Sequence, residues 1–191
     1  LHVVHRRGLR ITDEIAVLMH TLRRNGLEVF VVSASLEDVV AAFATLPKYG
    51  YCLPRNHVFG LRLANDEGRL TPRYVQEWPL LHGSGKVELI RRELLSRYGR
   101  GPALVFGDSD GDFNMLTEFE DIEVELIVNR LKGGNIGSLC RKAVESRGKP
   151  NARFLLQGRN DAIGLWQAAQ SSWQLNEDED RLLAQPMSRL K

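Results

Sequence analysis

The chain has 191 residues, enough for one domain with a proper hydrophobic core. Apolar residues make up 43% and charged residues 26%, which excludes a disordered chain, and a net charge of +2 is too small to make nucleic acid the main partner. No apolar run approaches the ~18 residues of a membrane helix, and the start, Leu1-His-Val-Val-His-Arg-Arg, lacks the apolar core of a secretory signal.

In chain order, Thr12 can cap a helix whose first turn carries Asp13 and Glu14. Ile15, Leu18, Met19 and Leu22 then recur at helical spacing, and Arg23, Arg24 and Gly26 are stop signals. Leu27 to Val32 reads as a short strand of the kind buried in parallel sheets. Ser35, with Asp38 three residues on, predicts a capping box and a helix to about Ala44. Val58–Leu63 and Arg69–Val75 flank a turn-rich Asn65-Asp66-Glu67-Gly68, which predicts a hairpin. A helix follows over Gly85–Tyr98, then a strand at Ala103–Phe106, an acidic loop, and a helix near Phe113–Phe119. Ile122–Val128 predicts a strand, Ile136–Ser146 a helix, and Phe154–Leu156 a last short strand. The acidic run Asn176-Glu-Asp-Glu-Asp180 reads as a solvated linker before a C-terminal helix over Arg181–Leu190. Cys52 and Cys140 do not make a disulfide framework and read as two small buried thiols. Alternation of strand and helix predicts an α/β fold with a mostly parallel sheet, and in such sheets ligands sit at the carboxyl ends of strands.

Three segments carry chemistry. In Leu104-Val-Phe-Gly-Asp-Ser-Asp-Gly-Asp-Phe-Asn-Met-Leu116 a buried strand stops at Gly107 and three carboxylates follow, at Asp108, Asp110 and Asp112. On one tight loop they repel unless a cation or hydrogen bonds compensate, and hard oxygen donors with room for water suit Mg²⁺. An EF-hand does not fit, because Phe113 stands at the required glycine and Phe119 at the closing glutamate. In Val29-Phe-Val-Val-Ser33-Ala-Ser35, Ser33 sits at the strand tip, where its hydroxyl can donate to a phosphate oxygen; Ser35 is the helix cap. In His82-Gly-Ser-Gly-Lys86 a lysine enters the first turn of a helix, an unfavourable place for a cation unless an anion is near. A Walker A loop does not fit there, since Leu80 replaces its first glycine and Val87 its Ser/Thr.

Together, an apolar strand ending in Ser33, Lys86 before a helix, and Gly107-Asp-Ser-Asp-Gly-Asp112 resemble the haloacid dehalogenase (HAD) superfamily of phosphatases. Val58-Phe-Gly-Leu-Arg-Leu63 and the Gly-Ser-Gly-Lys86 run resemble its phosphoserine-phosphatase-like branch. Val31-Val-Ser-Ala-Ser-Leu-Glu-Asp-Val39 and Leu126-Ile-Val-Asn-Arg-Leu-Lys-Gly-Gly134 look closer still to bacterial phosphorylcholine phosphatases.

The resemblance implies a Rossmann-like core with Ser33 and Lys86 as phosphate-binding catalytic residues, Asp108 as Mg²⁺ ligand, and Asp112 as the second aspartate of the metal site. It implies a two-step reaction in which an Asp attacks phosphorus and water hydrolyses the aspartyl-phosphate. The substrate would be a small phosphorylated metabolite of the phosphorylcholine or phosphoserine class. Trp78, Trp166 and Trp173 are scattered, and they read as core or interface rather than as a choline cage. The family's nucleophile lies in an Asp-x-Asp-x-Thr motif before the Ser33 strand. No Asp-x-Asp precedes Ser33 here. The chain therefore reads as the C-terminal part of such an enzyme, lacking the first strand and most of the cap, inactive alone and self-associating. Residues 1–10 would be a remnant of the upstream cap or linker, 11–170 a partial core, and 171–191 a helical extension. Two other classes compete with this reading: a non-catalytic phosphate- or metal-binding interaction module, and an unrelated doubly wound small-molecule binder.

Overall fold

A computed structural model describes residues 10–168, 171–172 and 181–182. The chain divides into two compact units, one of Asp13–Gly101 and one of the described residues from 102 to 182 together with 10–12.

The first unit begins with helix α1, Asp13–Arg24, with its acidic first turn and basic last turn. Strand β1 is Val31–Leu36 and helix α2 is Glu37–Thr45. Strand β2 is Val58–Leu61, β3 is Leu63–Asp66 and β4 is Arg69–Tyr74. Helix α3, Ser84–Leu89, continues as a π-helical turn, Ile90–Leu95, and closes with α4, Ser96–Tyr98. Strands β1 and β2 pair in parallel, with Val31 opposite Val58 and Val32 opposite Phe59. Successive strand residues point to opposite faces, so these two rungs feed two cores. Val31 and Val58 pack with Ala41, Ala44 and Leu53. Val32 and Phe59 pack with Leu81 and Leu89.

Three expectations change here. The strand runs four residues later than Leu27–Val32, because pairing with β2 starts only at Val31. Ser35 lies inside β1, and Leu36 stands at the cap of α2 with no side-chain capping bond. The segment predicted as one hairpin arm over Val58–Leu63 is split at Arg62. Its first half pairs in parallel with β1, and only β3 forms the hairpin with β4.

The second unit contains β5, Leu104–Gly107, a 3-10 turn at Asp110–Asp112, and α5, Phe113–Thr117. Strand β6 is Val124–Asn129 and helix α6 is Gly134–Ser146. Strand β7 is Phe154–Arg159 and β8 is Trp166–Gln167. The sheet order is β5-β6-β7-β8, parallel except for β8. Ile136, Leu139, Cys140, Ala143 and Val144 form the buried stripe of α6, at the spacing that sequence periodicity requires. This is the expected α/β class with a mostly parallel sheet flanked by helices.

Two differences concern its end. The last predicted strand extends to Arg159 and is followed by β8. Ser171–Ser172 (β9) pairs antiparallel with Arg181–Leu182 (β10), so the predicted C-terminal helix does not include Arg181 and Leu182. Residues 183–190 of that helix, the acidic run 176–180 and residues 1–9 lie outside the described residues. Both cysteines are free thiols, but only Cys140 is buried as expected and Cys52 is half-exposed; burial pushes the Cys140 thiol up to about 11. No helix among the described residues is long and apolar enough to cross a membrane.

Candidate active site

Ser33 is the third residue of β1, not its tip, and is half-buried. Its Oγ accepts a hydrogen bond from Ser35 N at 3.1 Å. Lys86 lies in the first turn of α3 and is 6% exposed, so this ammonium is not the solvated cation of an ordinary helix start. Its Nζ donates to Val32 O at 2.9 Å, which places the charge beside the residue preceding Ser33. The turn that delivers Lys86 needs a glycine before it: a Cβ on Gly85 would stand 1.8 Å from Leu80 O. Lys86 is thus brought beside Ser33 in the first half of β1.

The β1 end is tied down by a residue that sequence reasoning passed over. Glu37 is 8% exposed. Its Oε2 accepts from Gly60 N at 3.1 Å and from Arg62 Nε at 2.9 Å, while Oε1 accepts from Arg55 Nη2 at 3.1 Å. Trp78 donates from Nε1 to Gly60 O at 2.7 Å, and the Arg62 guanidinium lies 3.4 Å from its ring centre. The Trp78 ring thus already stacks against one guanidinium, and a second, Arg92, lies 4.8 Å from its centre. Trp166 lies in β8, and Trp173 lies outside the described residues.

In the second unit the acidic loop follows β5. Its three carboxylates diverge. Asp112 folds back so that its Oδ2 accepts from Asp108 N at 2.9 Å, Ser109 N at 3.0 Å and Ser109 Oγ at 2.9 Å. This is a capping box, found here rather than at Ser35. A Cβ on Gly107 would stand 2.5 Å from Asp112 Cβ, so glycine is required for the loop to close. Asp110 Oδ1 accepts from Ile136 N at 2.8 Å, beside the first turn of α6.

Asp108 alone points away from these contacts. Its Oδ2 accepts from Arg130 Nη1 at 2.7 Å and lies 3.6 Å from Lys132 Nζ. Arg130 Nε and Nη2 donate to Asp161 Oδ2 at 3.2 and 3.0 Å. Burial works against the guanidinium's charge, but Asp108 and Asp161 outweigh it and raise the Arg130 pKa above its ordinary value. Hydrogen bonds therefore compensate two of the three carboxylates, and side-chain cations compensate the third. Among the described residues no group of three or more His, Cys, Asp or Glu side chains could hold a metal ion.

Asp108 Oδ1 has no hydrogen bond among the described residues, and the side chain is 34% exposed. Arg130, Lys132 and Asp161, which form the ion pairs around Asp108, were not singled out in the sequence, although Arg130 and Lys132 directly follow the apolar strand β6.

The parallel β1–β2 pair carries Ser33 beside the buried Lys86, and the β5–β8 sheet carries a glycine-led aspartate loop, in an α/β protein whose strands are mostly parallel. Residues 2–117 match the family model for haloacid dehalogenase-like hydrolases, more than half of the chain, and the chain belongs to that family. It is similar to the crystal structure of a conserved functionally unknown protein from Anaerococcus prevotii DSM 20548, with 37% identity and a TM-score of 0.79. The match covers 89% of this chain and 44% of that one, so the chain spans less than half the length of this relative. No curated protein matches it.

Proposed function

We propose that the chain carries the phosphate- and metal-handling part of a Mg²⁺-dependent phosphomonoester hydrolase of the phosphoserine-phosphatase-like branch. Its substrate class is a small phosphorylated metabolite such as phosphorylcholine or phosphoserine. The observation that carries this reading is Asp108, a carboxylate at a buried strand end whose Oδ2 is held by Arg130 while its Oδ1 has no hydrogen bond among the described residues. The branch and substrate class rest on the sequence resemblances at Val31–Val39, Val58–Leu63 and Leu126–Gly134.

Bound Mg²⁺ would neutralise charge on phosphoryl oxygens. Asp108 would hold the ion through Oδ1. Asp112 keeps the loop in shape by taking the Asp108 and Ser109 amides, so it supports the ligand rather than sharing the ion. Lys86 offers a buried ammonium and Ser33 a hydroxyl, both suited to donate to phosphoryl oxygens.

None of these residues replaces the nucleophile. Among the described residues Ser33 Oγ has only the Ser35 amide as partner, so no base is there to take its proton. Asp108 is already paired with two cations. We therefore place this chain alone among proteins that bind phosphate without turning it over. Self-association belongs to the same reading: among the described residues β1 pairs only with β2 and β5 only with β6, leaving one edge of each strand unpaired. Light scattering at high concentration should give a dimer or larger assembly.

The decisive test is hydrolysis of p-nitrophenyl phosphate and phosphorylcholine with Mg²⁺. The chain alone should be inactive. A chain carrying an added upstream Asp-x-Asp-x-Thr segment should turn over, and should lose activity on Asp108→Asn. Full activity of the short chain, abolished by changing Asp110 or Asp112, would place the nucleophile in the acidic loop and overturn the reading.

A further inference from the structure

The ladder between β1 and β2 does not run in step. Val32 pairs with Phe59, and the next pair is Leu36 with Leu61, so Ser33, Ala34 and Ser35 together oppose Gly60 alone. An even ladder would set Ser33 opposite Gly60 and Ala34 opposite Leu61. The three residues form a bulge instead, a device that bends a strand and re-aims its side chains. The bulge starts where Lys86 Nζ donates to Val32 O at 2.9 Å. Gly60 lets it close onto β2. A Cβ there would stand 2.4 Å from Glu37 Cα and 2.7 Å from Ser35 O, both backbone atoms, which cannot swing aside as a side chain can. The Gly60 amide donates to Glu37 Oε2 at 3.1 Å, and its carbonyl accepts from Trp78 Nε1 at 2.7 Å.

Glu37 is the brace of this bulge. A carboxylate 8% exposed is costly unless its oxygens are satisfied, and here both are: Oε1 by Arg55, Oε2 by Gly60 N and Arg62 Nε. Arg62 is held in turn, 3.4 Å from the centre of the Trp78 ring that also bonds Gly60 O. The brace therefore closes on the one residue that faces Ser33, Ala34 and Ser35. We propose that Glu37, acting through Gly60, is a positioning residue for Ser33: by clamping the bulge against β2 it fixes where the Ser33 hydroxyl stands to donate to a phosphoryl oxygen. This rests on the reading of Ser33 as a phosphate-binding residue. It differs in sign from a charge effect, because removing a negative charge near an anion tightens anion binding, whereas losing the position of a donor loosens it.

Calorimetric titration of the full chain with inorganic phosphate tests this. Ser33→Ala should weaken binding on the order of tenfold, the loss of one hydrogen bond to a charged group, while Lys86 keeps binding measurable. Glu37→Gln should weaken it by about threefold to tenfold even though it removes a negative charge. The two losses should not add: in the Ser33→Ala background Glu37→Gln should cost nothing further, because it acts through that hydroxyl. Trp78→Phe keeps an aromatic ring beside Arg62 and removes only the bond to Gly60 O, so it should weaken binding about twofold, again only where Ser33 is present. It is the second variant should Glu37→Gln fail to fold. Losses that add in full would make Glu37 a support of the fold at large and overturn the inference while leaving Ser33 a phosphate ligand. A Glu37→Gln chain that binds phosphate as tightly as the wild type, or more tightly, would do the same. Absence of phosphate binding in the wild type, or a Ser33→Ala chain that binds as well as the wild type, would overturn the reading of Ser33 and this inference with it.

Discussion

At the end of β1 the chain passes from Ser33 through Ser35 into α2 with one hydrogen bond between the serines. The turn is fastened instead from outside, by Glu37 collecting Gly60 N, Arg62 and Arg55. At the end of β5 the equivalent turn fastens itself, with three hydrogen bonds converging on Asp112 Oδ2. In the first, Ser33 Oγ accepts a single amide; in the second, Asp108 turns away from its own loop to pair with Arg130 and Lys132. A strand end can therefore be held by its own loop or by a neighbouring strand, and in each case the hydrogen bonds converge on one carboxylate.

The largest test of this comparison is the pair Asp112→Ala and Glu37→Ala. Asp112→Ala strips the acceptor from two loop amides and a hydroxyl and should cost about 3 kcal/mol in urea unfolding. Glu37→Ala should cost somewhat less, about 2 kcal/mol, because Arg55 and Arg62 are partly exposed and regain water. If Glu37→Ala were neutral, the β1 turn would not depend on its neighbour and the contrast would fail.

A second, smaller effect belongs to the β5–β8 sheet. Glu125 is fully buried in β6 and paired with Arg153. Burial raises its pKa above the ordinary 4.5, against the pull of Arg153. The native state then holds this proton more tightly than the unfolded chain. The contribution to stability is full below pH 4.5 and is lost as pH rises through the raised value. Urea unfolding from pH 4 to 8 should show stability falling across that window, with a slope of roughly 1 kcal/mol per pH unit where it is steepest. Glu125→Gln should flatten the slope. A slope unchanged in that variant would assign it to another group.

The smallest effect should be at Ser33. Its hydroxyl accepts one exposed amide, so Ser33→Ala should change stability by less than about 0.5 kcal/mol. Any loss of phosphate affinity in that variant then reports on ligand contact rather than on folding. A large stability loss would mean that the serine holds the β1 turn after all.

Much of the molecule was legible from residue order. The α6 stripe, the β5 strand and the Asn65–Gly68 turn follow from periodicity and turn chemistry, which act over a few neighbouring residues. The errors fall where distant partners decide. Leu27, Val29 and Phe30 are as apolar as Val31 and Val32, yet only the latter two pair with β2. Ser35 has a capping sequence, yet β1 continues through it to pair Leu36 with Leu61.

The site divides along the same line. Ser33, Lys86, Asp108 and Asp112 could be singled out by sequence alone, because each lies in a local pattern of strand end, glycine and helix start. That Lys86 is buried against Val32, that Asp110 and Asp112 spend their oxygens on amides, and that Arg130 spans Asp108 and Asp161 were decided only by the tertiary structure. The physical reason is that propensity and spacing are set within one turn or strand. The partner of a charge is set by which strand ends the sheet brings side by side, 22 residues apart for Asp108 and Arg130 and 31 for Arg130 and Asp161.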